Sequence, residues 1–380
     1  MKIGIITQPL AENYGGILQN YALQRLLVAL GHEVYTINRC EWFLPYYLEG
    51  RSRVFWQIRQ LVKRCVRKKK FASRGQFHFC RQHCEEFVMN NIRLTEEINN
   101  QEQLLKLVDK YKFEVYLVGS DQVWRPCYSK NIYNDFLEFC QKAMDVKRIA
   151  YAASFGVDNW EFDDSQTNKC RCLAKKFDAI SVREDSGVGL CKRFLDVEAV
   201  HVLDPTMVLE KDDYIKLLEQ YGERKHEGDM FCYILDNDDA IRKIICDIEM
   251  KYSLRSFQVK TRKDFRSIIS GDNLEDYIIP SPTKWLRAFV DAKVVFTDSF
   301  HGCVFSIIFN KPFWVIGNER RGNARFDSLL RMFKLENRRI SIDEINNSDL
   351  MNGIDWEDVN NILAQKREEA FRFLNQALQS

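Results

Sequence analysis

The segment Thr297-Asp-Ser-Phe-His-Gly302 is a small polar turn between apolar Val294-Val-Phe296 and the apolar run 303–309. A short buried strand, a tight turn and a buried helix is how open α/β folds present a helix N-terminus to a ligand. Free N–H groups and the positive end of the helix dipole suit phosphate or carboxylate at that point. Ser299 and Gly302 lie in the turn, and Asp298 and His301 are its titratable groups. His301 stands either beside an anionic substrate or simply packed in the turn. Other anion-friendly turns are Asn13-Tyr-Gly-Gly16, Gly119-Ser-Asp-Gln122 and Arg183-Glu-Asp-Ser-Gly187. The planar fork of Arg183 matches carboxylate or phosphate oxygens in pairs, although a surface ion pair with Glu184 or Asp185 also fits. Arg325, in Arg320-Arg-Gly-Asn-Ala-Arg325, either reaches a phosphate or lies in a solvated loop. Gly15 and Gly16 permit close backbone approach. Asp121 suits a base on a hydroxyl or a cap of its own turn.

The elements holding these turns alternate β-rich runs with helical stretches, the mark of a parallel α/β architecture. Strands are expected at 2–7, 33–38, 114–119, 148–153, 179–182 and 199–203. A second set follows Asp204-Pro205, at 230–235, 256–259, 294–296 and, as the last strand, 312–316. Helices are expected at 17–30, 239–252 and 283–292. Two similar halves predict two Rossmann-like domains, 1–205 and 206–350, facing across a cleft. Asp355 reads as the N-cap of a final helix over 355–380 that packs back across both.

The chain has 380 residues, with 46% hydrophobic and 29% charged residues, which is ordinary for a globular protein of two domains. A net charge of +2 gives no global pull toward nucleic acid. No run approaches the ~18–20 apolar residues of a membrane span, and the N-terminus turns polar too soon for a signal peptide; a cytoplasmic location is expected. Of the 12 cysteines, none form C-x-x-C, which argues against zinc ribbons and iron–sulfur ligation. Cys80, His83 and Cys84 lack an evident fourth ligand, so no metal is expected. Residues 51–70 hold nine basic residues and no acidic one, with Val54, Ile58, Leu61, Val62 and Cys65 at helical spacing. Such a helix either packs its stripe on the domain or lies on an anionic membrane surface.

There is no G-x-x-x-x-G-K-[ST] loop, G-x-S-x-G elbow or H-E-x-x-H pair. The ordered set that remains resembles the polysaccharide pyruvyltransferase family. It comprises Asn13-Tyr-Gly-Gly-Ile-Leu-Gln-Asn-Tyr-Ala-Leu23, Val118-Gly-Ser-Asp-Gln-Val-Trp124, Ala150-Tyr-Ala-Ala-Ser-Phe-Gly156, Ile180-Ser-Val-Arg-Glu-Asp-Ser-Gly187, Val202-Leu-Asp-Pro-Thr206 and Thr297-Asp-Ser-Phe-His-Gly302. The resemblance implies a GT-B-like fold. It also implies phosphoenolpyruvate as co-substrate, with no further cofactor, and a sugar hydroxyl, often on a growing or lipid-linked polysaccharide, as acceptor. The implied product is a pyruvyl ketal. On this resemblance His301 is the general acid, with Asp298 supporting its protonated form. Arg183, the Ser299–Gly302 amides and Arg325 take the donor, while Asn13, Gly15, Gly16 and Asp121 face the acceptor. A lipid-linked acceptor would place the protein at the inner face of the membrane, with 51–70 as the contact. A sugar-nucleotide glycosyltransferase and a catalytically silent sugar-binding protein are the rival readings.

Overall fold

The computed structural model describes residues 1–44, 73–236, 239–264, 267–268, 271–317, 322–340 and 353–379. The basic stretch 51–70 lies outside the described residues. The N-terminal half builds a six-stranded parallel sheet in the order β2-β1-β5-β6-β7-β8. Its strands are β1 (Lys2–Ile6), β2 (Glu33–Thr36), β5 (Val115–Val118), β6 (Lys147–Ala153), β7 (Ala179–Val182) and β8 (Val200–His201). The C-terminal half builds a five-stranded parallel sheet, β10-β9-β11-β12-β13. Here the strands are β9 (Met230–Tyr233), β10 (Ser256–Phe257), β11 (Val294–Thr297), β12 (Phe313–Ile316) and β13 (Arg339–Ile340).

Parallel strands covered on both faces read as unbroken apolar runs, and β5, β11 and β12 are buried at every position. Two elements break the expected pattern. A parallel pair, β3 (Arg39–Leu44) with β4 (Ile98–Asn100), sits beside the first sheet. The last strand is β13 rather than β12.

Two helices are buried almost throughout, Tyr14–Ala29 after β1 and Phe300–Ile308 after β11. Helices buried on nearly all sides belong in the middle of a large protein; the first also buries Gln19, Asn20 and Gln24, and the two meet where the halves join. Tyr14 stacks on Trp285 at 5.4 Å and donates its hydroxyl to Pro280 O at 2.8 Å, tying the first half to the second.

The final helix, Trp356–Gln379, is amphipathic, burying Val359, Leu363, Ala370, Leu374, Ala377 and Leu378. Phe373 packs on Tyr151 of β6, and Lys147 Nζ donates to Leu378 O at 2.6 Å. At its other end Asp358 pairs with Lys334, so the helix touches both halves. Among the described residues no helix is long and apolar enough to cross a membrane.

Candidate functional site

The carboxyl ends of β1, β5, β7 and β11 converge between the two halves. The turn after β1 closes with Asn13, the residue before the Tyr14–Ala29 helix. A Cβ added to Gly15 would lie 1.9 Å from His301 Nδ1. Only a residue without a side chain lets the imidazole of the second half rest on the backbone of the first. Gly16 plays a similar part toward Asn13 and Asp121, whose side-chain atoms would stand 3.1 and 3.4 Å from its Cβ. Asn13 Nδ2 donates to Asp121 Oδ2 at 3.1 Å.

Asp121 follows β5 in the left-handed region, at φ 75°, a conformation that aspartate tolerates better than most residues. It forms an isolated parallel bridge with Ala153 at the end of β6. Ala152 is itself at φ 51°, and the β6–β7 register shifts between Ala150 and Ala153. This kink sets the Ala153 carbonyl to accept from Arg183 N at 3.2 Å. Strained backbone of this kind, costing about 1–3 kcal/mol per residue, gathers at functional sites.

Arg183 is buried, not a surface residue. Its Nη1 donates to Asp204 Oδ2 at 2.9 Å, and its Nη2 stands 3.6 Å from Asp121 Oδ1. Burial opposes its charge, but the carboxylates of Asp204, Asp121 and Glu184 outweigh burial and raise its pKa. Nε and Nη2 make no hydrogen bond among the described residues, so half of the fork remains unspent. The guanidinium lies over the Phe300 ring at 4.4 Å, and Arg325 approaches the same ring at 5.6 Å. Arg325 is also buried, in the first turn of the Ala324–Met332 helix. Burial first, and then Arg183, push its pKa down to about 10, which still leaves it charged at neutral pH. Two desolvated guanidiniums thus share one aromatic ring.

The carboxylate facing His301 is that of Asp204, 3.6 Å from Nε2 and just beyond hydrogen-bond range. Asp204 is wholly enclosed. Its Oδ1 accepts from Thr206 N and Oγ1 at 3.0 and 2.7 Å, and its Oδ2 from Ser120 Oγ at 3.2 Å as well as Arg183. Burial would raise its pKa, but His301, Arg183 and Thr206 hold it well below the usual carboxylate range. From the sequence, Asp204 reads as a polar strand end on the ligand face of the sheet and a joint between halves, with no role toward His301. The signal available was Asp-Pro-Thr directly after an apolar strand.

Asp298 accepts Leu235 N at 2.8 Å and Asp236 N at 2.9 Å, fastening the end of β9 to the turn. A Cβ on Gly302 would lie 2.2 Å from Thr297 Oγ1, so the glycine lets helix and strand pack closely. Ser299 opens the Phe300–Ile308 helix without a side-chain cap, its N–H donating to Thr297 Oγ1 at 3.0 Å. Among the described residues no group of three His, Cys, Asp or Glu side chains is arranged to hold a metal.

The fold and this inter-domain site define a GT-B-like protein. The UDP-GlcNAc 2-epimerase from Methanocaldococcus jannaschii superposes with a TM-score of 0.52 at 12% identity, over 93% of each chain. Arabidopsis thaliana UGT89C1, solved complexed with UDP-L-rhamnose, gives 0.52 at 9% identity, over 98% of this chain and 97% of that one. At such identities the similarity is one of fold. No curated protein matches the sequence. Residues 13–320 match the model of the polysaccharide pyruvyl transferase family, and the chain belongs to that family. It is therefore a transferase by family.

Proposed function

We propose that this protein moves the pyruvyl group of phosphoenolpyruvate onto two hydroxyls of one sugar in a surface polysaccharide or its lipid-linked precursor. The observation that carries the reading is the buried cluster of His301, Asp204, Arg183 and Arg325, assembled from both halves. Family membership supports the transferred group.

The imidazolium of His301 gives its proton to the methylene carbon of the donor, making the adjacent carbon electrophilic. One sugar hydroxyl adds there, phosphate leaves, and the second hydroxyl closes the ketal. Of the two protons released by the hydroxyls, one balances the methyl hydrogen taken from His301 and one leaves on phosphate. Asp121, held by Asn13, accepts from the attacking hydroxyl. The unspent Nε and Nη2 of Arg183, with Arg325, take the donor carboxylate and phosphate.

A lipid-linked acceptor would bring the protein to the inner face of the membrane, where the basic 51–70 stretch offers a contact for anionic lipid.

Thermal unfolding with phosphoenolpyruvate or UDP-sugars tests the donor. Ligand at 100 times its dissociation constant stabilises by about 2.7 kcal/mol, or ~5–10 °C for domains of this size. A shift with phosphoenolpyruvate that disappears in Arg183→Lys is expected, since lysine still pairs with Asp204 but lacks the fork. A shift with UDP-sugars alone would move the protein to the glycosyltransferases, and no shift with either would sink the donor assignment.

A further inference from the structure

Glu184 is a fully buried carboxylate that the proposed chemistry does not use. A group of this kind needs a structural or chemical reason, because burying a charge without partners is costly. One oxygen, Oε1, accepts from Phe155 N at 2.6 Å, Gly156 N at 2.9 Å and Ser154 Oγ at 3.1 Å. The other, Oε2, has no hydrogen-bond partner among the described residues. All three donors belong to the turn that ends β6. That turn is also tied to Asp121, whose carbonyl accepts from Ser154 N at 3.2 Å.

The other side of the turn meets the C-terminal half. Gly322 has φ 89°, and a Cβ on it would lie 1.8 Å from the Gly156 carbonyl oxygen. The backbone of the second half is therefore pressed onto the turn at a point where no side chain fits. Three residues later comes Arg325, within electrostatic range of Glu184. The contacts run in sequence from Glu184 to the 154–156 turn, from there to Gly322, and on to the first turn of the Ala324–Met332 helix.

We propose that Glu184 is a positioning residue that fixes the Ser154–Gly156 turn as the seat for Gly322, and so holds Arg325 over the donor site. The inference rests on the reading of Arg325 as a donor ligand. Glu184 acts through the backbone and touches no substrate. Its carboxylate is required because three donors converge on one oxygen, and charge-assisted hydrogen bonds are roughly twice as strong as neutral ones.

The test is titration calorimetry of the full chain with phosphoenolpyruvate, on E184Q, G322A and R325A and on each of the first two combined with R325A. R325A should weaken binding about tenfold or more; if it binds as the parent does, the donor assignment of Arg325 fails and the proposal falls with it. E184Q keeps an acceptor of the same shape, and G322A disturbs the seat from the opposite half without touching Glu184. Both should raise the dissociation constant about fivefold or more in the parent and add nothing once Arg325 is gone, the non-additivity expected of groups acting in one chain of contacts. Losses that add in full to that of R325A, or E184Q and G322A proteins that bind as the parent does, would overturn it. A purely architectural Glu184 would lower the melting temperature alike in both backgrounds and leave the affinity where it was.

Discussion

The turns after β1 and β11 look alike in sequence, each a strand end followed by a polar turn with glycine and a buried helix. They use their glycines differently. Gly15 is small because an imidazole from the other half lies against it, whereas Gly302 is small because Thr297 of its own strand does. The first glycine answers to the assembly of the two halves, and the second to packing within one half. A turn glycine is thus a statement about what lies within 4 Å, and that neighbour can be 286 residues away or five.

The largest effect should come from the group that faces His301 across the join. Asp204→Asn keeps the shape but leaves Arg183 buried without its closest counter-charge, at a cost of about 3–5 kcal/mol in denaturant unfolding. Because the folded carboxyl is held below its ordinary value, this contribution is complete above roughly pH 4 and fades as pH falls below that point. A variant as stable as the parent would mean that the buried charge of Arg183 does not depend on this carboxylate.

Gly15→Ala comes next. The added carbon must displace His301 or part the halves, and a shift of about 1 Å at a reacting group costs on the order of 100-fold in rate. Pyruvyl transfer should fall by that factor while far-ultraviolet circular dichroism stays as in the parent. Gly302→Ala should do the reverse, since its clash is internal to one half. Overpacking typically costs about 1–3 kcal/mol. Thr297→Ala added to it should recover part of that loss, because it removes two of the three atoms that the new Cβ meets. Equal loss of activity and stability in both glycine variants would erase the distinction between the turns.

How far the sequence showed this depends on what each feature answers to. Buried parallel strands show as apolar runs, so β1, β5, β7, β9, β11 and β12 were legible with ends off by a residue or two. The pair β3–β4 was not, since β3 opens on the polar Arg39-Cys-Glu41 and β4 has only three residues, and β13 has only two. The helix Arg74–Asn91 was also missed; its buried side includes Arg81 among Cys80, Cys84, Phe87 and Val88, too mixed to read as a stripe. Arg183, His301 and Asp121 were legible as turn residues at strand ends. That Arg183 pairs with Asp204 rather than Glu184 or Asp185 was not, because neighbours in sequence point apart at a strand end while residues from adjacent strands converge.

The join also has a contact with no glycine in it, and this gives the smallest effect. His201 at the end of β8 lies 3.0 Å from the Arg183 carbonyl oxygen and 3.3 Å from Ser328 Oγ of the second half. Burial lowers its pKa, against the opposing pull of that carbonyl and of Asp185 and Glu184. The unfolded chain takes up a proton near pH 6.5 that the folded chain refuses until lower pH. Its stabilisation is therefore present above about pH 6.5 and is lost as pH falls through the depressed folded value. His201→Gln should flatten the decline in stability between pH 7 and pH 5 relative to the parent, measured by urea unfolding at each pH. Since the same imidazole holds the backbone of Arg183, the variant should also weaken phosphoenolpyruvate binding. An unchanged pH slope would show that this contact is ordinary packing and that its imidazole adds no pH dependence to the join.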